Sequence, residues 1–124
     1  AAQSPFMKAC LKSTREVSKW AEEELAKKGK NGDYVPTSAI DLAVRRVCTC
    51  GASGLKENLP ERDQARAGET YGTIMRFQMG GYRKYAEKKR SKNQVKRLIK
   101  AAKRRERELK RWMVVSNGTV EICR

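Results

Sequence analysis

The chain has 124 residues, enough for one domain, and carries 29 Lys or Arg against 14 Asp or Glu, a net charge of +15. No apolar run is long enough to span a bilayer, which excludes membrane insertion. With no His anywhere, a Ser-His or Cys-His nucleophile within the chain is excluded and the usual general base near neutral pH is missing, so a binding protein is expected rather than an enzyme.

In chain order, Ser4 reads as an N-cap and Pro5 as the first helical position of a helix that Gly29 stops. Met7, Cys10, Thr14, Val17, Ala21 and Leu25 step by three or four and mark its buried stripe. Trp20 falls at the edge of that stripe, and a core-edge role is expected over a stacking platform for a base. Glu22, Glu23 and Glu24 form an acidic patch suited to pairing with basic residues further on. The chain begins Ala1-Ala2-Gln3 rather than with Met, which points to removal of a presequence and an organelle, mitochondrion or plastid.

Lys30-Asn31-Gly32-Asp33 is turn chemistry, and Tyr34-Val35 is extended ahead of Pro36. A second helix starts at Ser38 with Asp41, has Ile40, Ala43, Val44 and Val47 inside and Arg45 and Arg46 outside, and is expected to stop at Gly51. Gly51-Ala52-Ser53-Gly54 then reads as a plain flexible loop, since it matches no phosphate-binding pattern.

Asn58, Pro60 and Glu61 open a third helix with Ala67, Tyr71, Ile74, Met75 and Gln78 on its mostly apolar side, ended by Gly80-Gly81. Gly68 and Gly72, four apart within it, each cost about 1 kcal/mol relative to Ala, so a close backbone approach is expected there. The carboxylate pairs that could be offered for acid–base work, Asp63 with Glu69 or Glu22 with Glu23, sit among ordinary surface charges. Tyr82-Arg83-Lys84-Tyr85 is a basic-aromatic cluster that suits either base stacking or a core position with wet hydroxyls.

The segment from Arg83 to Arg111 holds fifteen Lys or Arg against Glu87, Glu106 and Glu108, and so accounts for +12 of the chain's charge. Ser91 and Gln94 form a capping-box pair, and Val95, Leu98, Ile99, Ala102, Leu109, Trp112 and Met113 recur at helical spacing, which predicts one long helix. On its other side Lys92, Lys96, Lys100, Lys103, Arg107 and Lys110 line up over roughly 27 Å. Like charges at this spacing destabilise a helix by a few tenths of a kcal/mol per pair, so an anionic partner is expected to offset them. The candidate nucleic-acid-binding residues are Arg83, Lys84, Lys88, Lys89, Arg90, Lys92, Lys96, Arg97, Lys100, Lys103, Arg104, Arg107, Lys110 and Arg111.

After the long helix the period changes to two: Val114-Val115-Ser116 and Thr119-Val120-Glu121 flank Asn117-Gly118, a strong hairpin signal. Pairing across that turn would put Met113, Val115, Val120 and Ile122 on one face and close the core. Asn117-Gly118-Thr119 also fits the glycosylation acceptor pattern.

Cys10, Cys48, Cys50 and Cys123 permit three pairings, and their even number keeps an oxidised, secreted protein open. Their spacing does not suit zinc, and reduced, buried thiols are the expected state.

The expected fold is mainly α: a single basic helical domain over residues 1–124, with one long basic helix, a cationic binding element at 83–111 and a C-terminal β-hairpin. The expected function is a non-enzymatic, RNA-binding structural component of a ribosome or other ribonucleoprotein, holding RNA backbone and contacting neighbouring proteins, with no cofactor or metal. In general character, small, basic and helical with an extended cationic element, the chain resembles ribosomal proteins. The main alternative is a basic linker that joins acidic proteins, on a resemblance of charge to linkers of plastid light-harvesting antennae, with a cysteine carrying a thioether-linked pigment. A third reading is a secreted helical factor that binds anionic polysaccharide, with two disulfides and a glycan at Asn117.

Overall fold

The computed structural model describes residues 3–28, 37–78, 82–116 and 119–120. They form helices α1 (Pro5–Ser13), α2 (Arg15–Lys28), α3 (Thr37–Ser53), α4 (Glu61–Gln78), α5 (Tyr82–Lys89) and α6 (Lys92–Leu109), then two-residue strands β1 (Val115–Ser116) and β2 (Thr119–Val120).

The local signals at two helix starts act as read, whereas α3 begins at Thr37, ahead of the expected Ser38 start. Ser4 is extended and its Oγ accepts from the Met7 amide at 3.2 Å, with Pro5 in the first turn. Ser91 and Gln94 close a capping box, Gln94 N donating to Ser91 Oγ at 3.2 Å and Ser91 N to Gln94 Oε1 at 3.0 Å. At the third start the cap shifts: Asn58 takes a positive φ of 63°, and the Pro60 carbonyl accepts from Gln64 N at 3.0 Å to begin α4.

Tertiary packing overrides two boundaries. The single helix expected from Pro5 to Lys28 divides at Thr14, a fully buried residue whose hydroxyl donates to the Cys10 carbonyl at 2.9 Å. A hydroxyl bonded back to the preceding turn competes with the backbone ladder and bends a helix. Gly51 is not a stop either, since α3 runs through it to Ser53 and the expected loop begins later. Its missing side chain leaves room for Tyr71, whose Cε1 would lie 2.5 Å from a β-carbon at position 51.

Helix α4 is the central element, touching α1, α3, α5 and α6. One apolar cluster joins Phe6, Cys10, Cys48, Ala67, Tyr71, Met75, Leu109, Trp112 and Met113, and a second joins Val17, Val44, Tyr82, Tyr85, Ala86 and Val95. Phe6, fully buried, is part of the core although the helical stripe read from the sequence omitted it. Trp20 packs at the edge of the second cluster, as a core-edge residue would.

The expected C-terminal β-hairpin, and with it the expected fold class, is corrected: among the described residues the architecture is helical and no β-sheet layer closes the core. Among the described residues, β pairing amounts to Val115↔Val120 with Ser116↔Thr119 and one bridge, Leu55↔Met113. Two strands of two residues are too short for independent stability. Met113 belongs to the helical cluster, and its neighbours bond elsewhere: Val114 N donates to the Gly54 carbonyl and Lys56 N to the Trp112 carbonyl, each at 2.8 Å. The end of α6 is thereby tied to the end of α3. The turn residues Asn117 and Gly118, Ile122, and the Gly29 and Gly80-Gly81 stops lie outside the described residues.

The cysteines are also corrected. Cys10 and Cys48, both fully buried, form a disulfide that links α1 to α3 across 38 residues, and Cys50 is disulfide-bonded as well. Burial of paired sulfurs looks the same in a sequence as burial of thiols, because both read as small apolar positions.

Candidate polyanion-binding face

Helix α6 is held by one apolar side. Val95, Ala102 and Leu109 are buried at seven-residue steps, with Leu98 and Ile99 half-buried beside them. At about 100° per residue, this leaves Lys92, Lys96, Arg97, Lys100, Lys103, Arg104 and Arg107 within a sector of about 140° on the opposite side, and Lys110 and Arg111 follow in the turn directly past the end of α6. All nine are exposed. Among the described residues none of them makes an ion pair within 4.0 Å. Two rows repeat every seven residues, Lys96-Lys103-Lys110 and Arg97-Arg104-Arg111, with a rise of about 10.5 Å per step. Arg83 reaches the same face from α5 and, with Asn93, Lys96, Arg97, Lys100 and Lys103, surrounds an open depression of about 490 Å³ that no acid lines.

The five candidates from α5 and its end behave differently. Arg83 Nε lies 3.4 Å from Glu87, Lys88 Nζ 4.0 Å from Glu24, Lys89 Nζ 3.6 Å from Glu23 and Arg90 Nη2 3.1 Å from Glu16. The acidic patch on α2 therefore sits against the basic end of α5 through Glu23 and Glu24, not against the long basic helix, and lowers the local positive potential there. Exposed pairs of this kind contribute about 0 to 1 kcal/mol each. Lys84 is exposed and pairs with no acid among the described residues. Arg105, within the same stretch, turns away from the nine and meets Glu69 of α4 at 3.4 Å.

Stacking on Tyr82 or Tyr85 is not available. Tyr82 is 1% and Tyr85 8% exposed, so both rings belong to the core. The Tyr82 hydroxyl donates to Glu16 Oε2, and the same carboxylate receives Arg90. Burial alone would raise the Glu16 pKa, but the Tyr82 hydrogen bond and the charges of Arg76 and Arg90 outweigh it and hold the carboxyl below its usual value. Burial, then the bond to Glu16, pushes Tyr82 up to about 12. Glu16 was not singled out by sequence pattern, because its partners lie 66 and 74 residues away.

What this face can do chemically is neutralise a row of negative charges without recognising their order. Its groups are point charges and forks on flexible stems, with no aromatic platform among them. Cys10, Cys48 and Cys50 are all bonded and offer no thiol for a thioether-linked pigment. Among the described residues no group of three or more His, Cys, Asp or Glu is placed to hold a metal ion, and no helix is long and apolar enough to cross a membrane. No protein-family model, no curated protein and no solved structure matches the chain.

Proposed function

We propose that this chain is a non-enzymatic structural component that binds an extended polyanion along α6, and that the polyanion is the RNA backbone of a ribonucleoprotein. The observation that carries the reading is the set of nine exposed cations, seven on one sector of α6 and two directly past its end, none in an ion pair within the described residues. Neutralising phosphates releases condensed counterions, which supplies affinity without base recognition. The self-repulsion of the row is relieved in the same step. The test is the ultraviolet absorbance ratio of the native material before and after ribonuclease: bound RNA raises the ratio and digestion lowers it, whereas an unchanged ratio counts against the proposal.

The disulfides favour a second reading, a secreted protein whose same face binds anionic polysaccharide. Disulfides persist in oxidising compartments and are rare where thiol reductants dominate. Competition separates the two: a sulfated polysaccharide that outcompetes bulk RNA at equal charge concentration supports the secreted reading, and the reverse order supports RNA.

A further inference from the structure

A second cationic surface lies beside α6, outside the sector that carries the polyanion-binding row. Where α1, α4 and α6 converge, a groove of about 690 Å³ opens, within the range of roughly 300 to 1,000 Å³ typical of small-molecule sites. Its lining is of two kinds. Short or apolar side chains, among them Ala65, Leu98 and Ala101, form one part; Lys12, Arg62, Arg66, Arg76 and Arg105 form the other, against the single acid Glu69.

That acid is already engaged by Arg105 at 3.4 Å. Lys12, Arg62 and Arg66 are exposed and have no acidic partner among the described residues. Arg76 donates from Nη1 to the Ser13 carbonyl at 3.2 Å, while its Nε is buried with no hydrogen-bond partner. A buried donor left unsatisfied is uncommon in a folded protein and calls for a partner. Arg62, Arg66, Glu69, Thr73 and Arg76 follow each other along one stripe of α4 over about 21 Å, so one helix presents cations at both ends of the groove with the single acid between them.

The two linings together select the ligand. A bare inorganic anion would meet the cations and leave the apolar part in contact with water. A neutral apolar molecule would cover that part and gain nothing from Lys12, Arg62 and Arg66, the three cations left without an acidic partner among the described residues. A molecule with both properties gains apolar burial and charge pairing in one event. We propose that this groove binds an anionic amphiphile, an apolar ring or short chain bearing one sulfonate, sulfate, phosphate or carboxylate, at a site separate from the polyanion face.

The test uses 8-anilinonaphthalene-1-sulfonate as probe and N-phenyl-1-naphthylamine, the same ring system without the sulfonate, as its neutral match. Fluorescence titration of the intact chain should give one saturable site for the sulfonate and at least about tenfold weaker binding of the neutral compound, about 1.4 kcal/mol. Ala101 is exposed on α6, so Ala101→Trp fills the groove without touching the core and should weaken the sulfonate at least about tenfold. The double change Arg62→Ala with Arg66→Ala should weaken it at least about fivefold, and Arg97→Ala with Arg104→Ala, on the polyanion face, should leave it within about twofold. Inorganic sulfate at the probe's concentration should not displace it. Circular dichroism confirms that each variant is folded. Equal affinity for the neutral compound, no effect of Ala101→Trp, displacement by equimolar sulfate, or an equal loss on the polyanion face would each overturn the proposal.

Discussion

Gly68 of α4 lies against the backbone of Phe6 in α1: a β-carbon at position 68 would meet the Phe6 carbonyl oxygen, and would sit 2.9 Å from both its carbonyl carbon and its Cα. At Gly72, one turn on, a β-carbon would sit 2.9 Å from Ser13 Cβ and 3.0 Å from the Cys10 carbonyl oxygen. Two glycines four apart thus set the distance between α1 and α4, and the helix propensity they give up is offset by this close approach.

Gly68→Ala therefore carries a definite sign. Ala would gain about 1 kcal/mol of helix propensity, but the obstructing atoms are backbone and cannot rotate away. Overpacking of this kind costs typically 1 to 3 kcal/mol, sometimes more. The expected outcome is a net loss of about 2 kcal/mol or more in urea unfolding, with the slope unchanged. A variant as stable as the parent would mean that α1 and α4 are not in backbone contact.

Reduction of the bond between Cys10 and Cys48 should be costly. The bond closes a loop with a sequence separation of 38 residues, for which the chain-entropy model gives about 4 kcal/mol at 25 °C. Cys10→Ala with Cys48→Ala is expected to lower unfolding free energy by about 3 to 4 kcal/mol. Intact mass with and without reductant checks the pairing itself, since each bond takes up two hydrogens on reduction.

The Tyr82–Glu16 contact predicts two pH windows. Tyr82 has a folded pKa of about 12 against an ordinary 10, so its contribution is present below pH 10 and is lost as pH rises towards 12. Glu16 is shifted the other way, below 4.5, so its contribution is present above that value and is lost as pH falls beneath it. The stability difference between the parent and Tyr82→Phe should therefore be about 1 to 2 kcal/mol at pH 7 and should narrow above pH 10. A difference that stays constant to pH 12 would show that the hydroxyl does not hold its proton more tightly in the fold.

These residues also show what can be read from the chain itself. The caps at Ser4 and Ser91 and the apolar side of α6 depend on neighbours within a few turns, and the spacing of Gly68 and Gly72 is visible as a local pattern although the residues they meet belong to α1. The break at Thr14, the passage of α3 through Gly51 and the bonded cysteines depend on residues brought in from elsewhere, and local spacing carries no sign of them. The terminal hairpin failed as a fold element for the same reason: Asn117-Gly118 is a strong local signal, but Met113 is drawn into the helical cluster and its neighbours bond to the 54–56 segment. The long row of cations was legible at once, whereas the partial neutralisation of α5 required the geometry of α2. Arg62, Arg66 and Arg76 do share helical spacing, a signal overlooked beside the denser run on α6.

Charge and geometry can be separated on the polyanion face. Arg97, Arg104 and Arg107 are exposed and outside the Arg105–Glu69 contact, so changing all three to Lys keeps the net charge of +15. A backbone-tracking contact depends mainly on the number of charges, and the expected loss of RNA affinity is below about tenfold. A loss above about a hundredfold, measured by fluorescence anisotropy, would mean that bidentate Arg geometry rather than the number of charges holds the RNA, against a backbone-tracking contact.

The account rests most directly on the salt dependence of RNA binding by the intact chain. With about five to eight phosphates neutralised, log affinity against log salt should fall with a slope of roughly −5 to −7 on duplex RNA, and sequence should matter little. Replacing Lys96, Lys100 and Lys103 together by Gln should bring that slope nearer zero by about 2 to 3. A parent slope near −1, or a slope that the triple change leaves where it was, would contradict a phosphate row on α6.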